Sequence, residues 1–355
     1  MSDKVLMKGN EALAEAAIRA GCRHFFGYPI TPQTEVSAYM AKKMPKIGGV
    51  FLQAESEVAA INMVYGAGGA GARVMTSSSS PGISLKQEGI SYIAGADVPC
   101  VIVNIVRGGP GLGGIQPAQS DYFQAVKGGG HGDYHLPVLA PSSIQEMVDL
   151  TSDAFDIADR YRTPVMIMGD GMLGQMMEPV EFKESQQVAL PEKDWATTGT
   201  GMKRKKNIIN SLFLTPNELE ALVLERQKRY EQIAANETRY DMVDPEADII
   251  LVAYGTTSRI ARTAIAMAKE QGLRVGLIRP ITLWPFPFEA FEKSLADGKR
   301  KAFLSVEMST GQMVEDVRLA VNGRADVHFF GRTGGMVPTP AEILEQIKLI
   351  AGGNK

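Results

Sequence analysis

Continuous apolar runs alternate with stretches of helical period, over residues 1 to about 180 and again after Asp248, and this rhythm constrains the chain most. Runs that are apolar at every position suit strands buried on both faces. Helices between them supply the crossovers that parallel strands need. In the first block the pattern predicts strands over 23–28, 50–53, 73–77, 101–106, 136–139 and 165–168, with helices over 10–21, 33–43, 84–94 and 143–160. Asn10 stands where it could cap the first helix. The second block predicts strands over 249–254, 274–278, 302–306 and 327–330, and helices over 258–270, 288–296, 310–321 and 340–350. Between them the rhythm breaks at Pro191, Gly199, Gly201 and a KRKK tetrad (203–206), which reads as a solvated loop. An amphipathic helical run follows, opening at Thr215 or Asn217, and reads as packing on the protein. The fold class is α/β, with a first domain over 1–185, an excursion and linker over 186–245, and a smaller second domain over 246–355.

Composition narrows the function. A net charge of −3 over 355 residues, with no like-charge block longer than four, gives no reason to expect nucleic acid. No stretch approaches the roughly 20 apolar residues of a membrane span, and the start MSDKVLMKGNE lacks the apolar core of a signal peptide, so the expected location is the cytoplasm. Cys22 and Cys100 are the two cysteines, far apart, so this chain alone builds neither a disulfide framework nor an iron–sulfur site.

Two stretches carry chemistry. Residues 27–32, GYPITP, end an apolar run and open a helix. Each proline holds its own φ near −65° and pushes the preceding residue out of the helical region, which makes a rigid lip where open parallel sheets bind ligands. Residues 53–61, QAESEVAAI, place Glu55 and Glu57 where another apolar run meets a helix rich in small residues. Taken alone, the lip is equally an ordinary turn, and two acids at a helix start more often only serve the helix dipole.

Together these stretches resemble the pyrimidine-binding α subunit of the 2-oxoacid:ferredoxin oxidoreductases. The resemblance extends through Gly66-Ala67, the TSSSSPG loop (76–82), Val106-Arg107 and the segment APSS (140–143), and its wording is most like the 2-ketoisovalerate-type members. It implies a parallel-sheet pyrimidine-binding domain followed by a domain like the transketolase C-terminal one. It implies thiamine diphosphate with Mg²⁺, the diphosphate half being held by a β subunit, and [4Fe–4S] clusters only in partner subunits. Further small ferredoxin-like and γ subunits, ferredoxin and coenzyme A complete the expected set. Counting back from Gly66-Ala67, the family glutamate that activates the aminopyrimidine falls on Glu57, with Glu55 the second choice or a helix cap. Thr31 matches the threonine that faces the substrate, and Arg107, after the strand VIVNIV, offers a fork suited to a 2-oxoacid carboxylate. Tyr28, Pro29, Ile30 and Ser79 complete the expected cofactor contacts.

Three patterns read as decoys. The run 109–114, GPGLGG, has the glycine spacing of a dinucleotide site, but Pro117 interrupts the helix such a site needs. Asp170, in Gly-Asp-Gly at a strand end, has the look of a metal–diphosphate ligand without a well-spaced asparagine, and reads as structural. His131 and His135 are four apart in a glycine-rich stretch that opposes a helix and hence zinc. The turn 307–312, EMSTGQ, is family-like without an assignable role.

Overall fold

A computed structural model describes residues 4–183, 190–296, 298 and 302–353. The first and last residues of the expected first domain and the opening of the expected linker (186–189) lie outside the described residues.

The chain opens on β1 (Val5–Lys8), α1 (Gly9–Arg19), β2 (His24–Gly27), α2 (Thr34–Lys43), β3 (Val50–Gln53), α3 (Glu57–Gly69) and β4 (Val74–Ser78). It continues through α4 (Pro81–Gly95), β5 (Cys100–Val106), the short α5 (Tyr122–Val126), β6 (Val138–Leu139), α6 (Ile144–Tyr161) and β7 (Pro164–Asp170). Then come α7 (Gly171–Gln175), β8 (Met177–Val180), the long α8 (Pro216–Glu237), β9 (Tyr240–Val243), β10 (Ile249–Val252) and α9 (Gly255–Glu270). The end is β11 (Val275–Pro280), β12 (Thr282–Trp284), α10 (Phe288–Leu295), β13 (Ala302–Glu307), α11 (Met313–Val321), β14 (Asp326–Gly331) and α12 (Pro340–Gly353).

Among the described residues the strands form three sheets. The largest has the order β12-β6-β7-β5-β4-β2-β3 and is parallel except for β12. Every residue of β4, β5 and β7 is buried, as continuous apolar runs predict. The second sheet, β14-β13-β10-β11-β9, is parallel except for β9. A small antiparallel pair, β1 with β8, completes the set.

One apolar cluster joins the two large sheets, taking Ile102, Val138 and Met168 from the first, Val252, Ile278 and Phe303 from the second, and Phe291 from α10. Side chains tie the same seam. Gln119 donates to Tyr254 O at 3.0 Å and accepts from Met308 N at 3.0 Å, and Tyr122 donates to Asp316 at 2.7 Å. Strand β12, from beyond the linker, pairs with β6, so the second block of sequence completes the first sheet. The helix α8 packs as expected: Tyr230 and Ile233 are buried, and Arg226 and Arg229 both reach Asp97.

One expectation is corrected. Asn10 does not cap α1, whose N-cap is Lys8. Asn10 lies inside the helix, fully buried, and donates to Pro32 O at 2.7 Å and to Glu35 at 2.9 Å.

Candidate functional site

Strands β3, β2, β4 and β5 lie side by side, and the segments leaving their carboxyl ends gather the residues singled out in the sequence. Beyond β2 runs the lip 28–32. Beyond β3 stands Glu57, beyond β4 the serine loop, and beyond β5 Arg107.

Glu57 is the first residue of α3. The cap of that helix is Ser56, whose hydroxyl accepts from Ala59 N at 3.2 Å, so Glu57 is free of capping duty. It is only 6% exposed, and among the described residues its carboxylate accepts no hydrogen bond. Buried carboxylates are normally paired. Glu55, the second choice, is exposed. The Glu57 carboxylate lies against the first turn of α4, where a Cβ at Gly82 would come within 2.6 Å of Oε1 and 2.1 Å of Ser78 Oγ. Gly82 therefore keeps the space that the acid occupies.

The serine loop is dry. Ser78 and Ser79 are fully buried, and among the described residues their hydroxyls have no hydrogen-bond partner. Ser80, at φ 22° and ψ −81°, turns the chain into α4. Its hydroxyl accepts from Arg107 N at 3.0 Å and lies 2.7 Å from Asp121, which also accepts from Asn104 at 2.9 Å. Burial raises Asp121 above the usual carboxylate range, and its bonds to Ser80 and Asn104 work the other way.

The lip is held from several sides. Asn10 and Gln175 both donate to Pro32 O, and Gln33 donates to Tyr28 O at 3.2 Å and accepts from Ser77 Oγ at 2.5 Å. Arg107 is brought to Thr31, though through backbone: one arm donates to Thr31 O at 2.8 Å and the other to Leu112 O at 3.0 Å. Its Nε is buried and has no hydrogen-bond partner among the described residues. Thr31, Tyr28 and Pro29 are exposed, and Ile30 is half-buried. A cavity of about 590 Å³ opens beside Thr31, lined by Pro32, Ile115, Pro117, Met172 and Val337, with Glu35 its charged residue.

The decoys resolve structurally. The glycine-rich loop closes on itself through Gly114 N to Gly108 O at 2.9 Å and the bridge of Arg107 with Pro117, and opens no helix. Asp170 caps α7, accepting from Met172 N at 2.9 Å and Leu173 N at 3.1 Å. His135 stacks on Trp284, ring centroids 4.6 Å apart, while His131 meets Tyr92 edge-on. Glu307 gathers the turn 307–312, accepting from Ser305, Ser309 and the backbone N–H groups of Gln312, Met313 and Val314. That turn is thus an organiser of α11.

One residue of the site escaped the sequence reading. Lys86 is fully buried, donating to Thr76 Oγ1 at 2.7 Å and Ser77 O at 3.1 Å. The signal was present: Lys86 sits in register with Ile83, Ile90 and Ile93 on the apolar face of α4, where a lysine is out of place.

A nearly buried carboxylate and two buried hydroxyls, all without a hydrogen-bond partner among the described residues, and a glycine that makes room suit a ring of mixed polarity held at this edge. The pyrimidine half of thiamine diphosphate is such a group, and the residues present fit it.

Comparison with known proteins agrees. A family model described as pyruvate flavodoxin/ferredoxin oxidoreductase, thiamine diphosphate-binding, matches residues 15–243, and pyruvate:ferredoxin oxidoreductase core domain II matches 247–343. The chain is 52% identical over 349 residues to ketoisovalerate oxidoreductase subunit VorB of Methanothermobacter thermautotrophicus, covering 98% of each chain. It is 37% identical over 380 residues to 2-oxoglutarate synthase subunit KorA of the same organism, covering 98% of this chain and 99% of that one. Among solved structures, 2-oxoglutarate:ferredoxin oxidoreductase from Magnetococcus marinus, with 2-oxoglutarate, coenzyme A and succinyl-CoA bound, superposes with a TM-score of 0.84 at 28% identity. That match covers 98% of this chain and 65% of the other, so this chain spans about two thirds of that larger one. Both blocks of the sequence thus find their counterparts in order, and the chain belongs to the 2-oxoacid:ferredoxin oxidoreductase family as its thiamine diphosphate-binding subunit.

Proposed function

We propose that this chain forms the pyrimidine half of a cofactor site completed by a β subunit, in a cytoplasmic enzyme that oxidatively decarboxylates 2-ketoisovalerate. Coenzyme A takes the acyl group, and the electrons leave to ferredoxin through [4Fe–4S] clusters held by partner subunits, with small ferredoxin-like and γ subunits completing the assembly. The observation that carries the reading is Glu57, a nearly buried carboxylate without a hydrogen-bond partner among the described residues, at the edge where the lip, the serine loop and Arg107 meet.

Bound thiamine diphosphate supplies a ring carbon that becomes nucleophilic once its proton is removed. Glu57 would hold the pyrimidine N1′ through a shared proton. Ser79 offers its unpaired hydroxyl, and Tyr28, Pro29 and Ile30 wall the ring. The Thr31 hydroxyl donates to an oxygen of the 2-oxoacid. Arg107 fixes the lip through Thr31 O and has its Nε and remaining N–H hydrogens to offer a carboxylate. Mg²⁺ and the diphosphate fall to the β subunit, a division supported by the capping duty of Asp170. The division into 1–185, 186–245 and 246–355 belongs to the same reading, with the last part serving assembly.

The cavity beside Thr31 bears on the substrate. Its walls are mainly apolar, and its charged residue is an acid already bonded to Asn10 and Gln175. An apolar wall suits a branched alkyl chain, and an acid repels the second carboxylate of 2-oxoglutarate. Steady-state kinetics of the assembled complex should give a higher kcat/KM with 2-ketoisovalerate than with pyruvate or 2-oxoglutarate. A clear preference for 2-oxoglutarate sinks this assignment. Thiamine diphosphate should bind weakly to the isolated chain and tightly once the β subunit is added, and equal affinity in both cases would contradict a shared site.

A further inference from the structure

Asp121 stands at the N-cap of α5 yet does not cap it, its side chain taking no hydrogen bond from that helix. An aspartate in that place ordinarily accepts from the first N–H groups of its own helix. Here both of its bonds leave the helix and converge on one oxygen. Oδ2 accepts from Ser80 Oγ at 2.7 Å and from Asn104 Nδ2 at 2.9 Å. Asn104 in turn accepts from Ser80 N at 3.1 Å, so Ser80 is held at both its amide and its hydroxyl. That hydroxyl has one proton and two acceptors in reach, Asp121 at 2.7 Å and Arg107 O at 3.2 Å. The shorter bond takes the proton. Ser80 Oγ is thereby left to accept from Arg107 N at 3.0 Å. From Arg107 the connection runs on to the lip, since the guanidinium donates to Thr31 O at 2.8 Å. Ser80 needs such holding, for its φ of 22° lies where residues other than glycine are uncommon. Asp121 can supply it because its neighbours are pinned to the second half of the chain: Tyr122 donates to Asp316 at 2.7 Å, and Ser120 O accepts from Gln312 Nε2 at 2.7 Å.

We propose that Asp121 is a positioning residue for the reaction: it fixes the Ser80 hydroxyl, Ser80 fixes the Arg107 backbone, and the Arg107 guanidinium is thereby set where it meets the carboxylate of the 2-oxoacid. This rests on Arg107 being the residue that grips that carboxylate. Without Asp121 the Ser80 proton turns to Arg107 O, Asn104 loses the acceptor of its amide, and the turn into α4 is free to relax. Arg107 then reaches for the substrate from a displaced starting point. The link requires an acceptor at the place of Oδ2, and the amide oxygen of an asparagine is one too.

The test is steady-state kinetics of the complex assembled with its β subunit, on its preferred 2-oxoacid, beside calorimetry of thiamine diphosphate binding. Asp121→Ala should raise KM for the 2-oxoacid about tenfold or more, with kcat and cofactor affinity within about threefold of wild type. Asp121→Asn should return KM to within about threefold of wild type. Arg107→Met should raise KM by itself, and Asp121→Ala added to it should raise KM little further, because the residue it acts through is gone. A lower melting temperature with KM unchanged in Asp121→Ala overturns the proposal and leaves the residue a structural one. So does a KM effect that persists in full on the Arg107→Met background, or an Asp121→Asn as impaired as Asp121→Ala. If Asp121→Ala fails to assemble, Ser80→Ala breaks the same link and is measured against the same criteria. A raised KM in Arg107→Met beside an unchanged Asp121→Ala sinks the role of Asp121 alone, whereas a wild-type KM in Arg107→Met removes Arg107 from the carboxylate and sinks both.

Discussion

One carbon added at position 82 would meet Ser78 Oγ at 2.1 Å and Glu57 Oε1 at 2.6 Å. Gly82→Ala should therefore shift the carboxylate. We expect cofactor affinity of the complex to fall about tenfold and stability by about 1–3 kcal/mol, read by calorimetry and urea unfolding. Unchanged affinity would show that the acid does not need that place. Lys86 makes a different prediction, in pH. Between about 7 and 10.5 it binds fewer protons in the folded chain than in the unfolded one. Stability therefore rises with pH across that window, and it is lowest below it, where the dry lysine is charged. The stability advantage of Lys86→Met should thus be largest below pH about 7 and shrink toward pH about 10, and a pH-independent difference would contradict this. Glu57 was singled out through the family resemblance, by counting back from Gly66-Ala67, since an acid at a helix start by itself serves the helix dipole as well. Lys86 was passed over because a lysine in a helix is ordinarily solvated, and only the packing of α3 and β4 around it removes the water. The interior position of Asn10 was hidden for the same reason: its partners, Pro32 and Glu35, are more than twenty residues away.

Among elements, the parallel strands were legible from their continuous apolar runs, and helices such as α6 from their period. The short strands β1, β8, β9 and β12 were not, since three or four residues hold no periodicity and gain their ladder from partners distant in sequence. The helix α7 is a single turn whose start depends on one side chain. Asp170→Ala removes the acceptor of Met172 N and Leu173 N and should cost about 1–2 kcal/mol, seen as a lower melting temperature of the chain. The Mg²⁺ requirement of the complex should not change. A raised requirement with unchanged stability would make Asp170 a metal ligand after all.

At the scale of the molecule, the segment 119–123 does two jobs. Asp121 lies under Ser80 and the serine loop, while Gln119 and Tyr122 on either side bind Tyr254, Met308 and Asp316 across the seam. The site and the second sheet are thus braced by one piece of backbone. Glu307 organises the far side of that seam, and with five donors turned on it Glu307→Gln should lose about 2–4 kcal/mol in urea unfolding, with a loss under about 0.5 kcal/mol contradicting its role. Whatever the brace contributes, the chemistry returns to the acid at the start of α3. Exchange of the thiazolium ring proton of the bound cofactor with deuterium, followed by quenched-flow NMR in the complex with its β subunit, reports that step alone. Glu57→Gln should slow the exchange by about 100-fold or more while the complex still assembles and binds cofactor, and exchange at the wild-type rate would show that another group activates the ring.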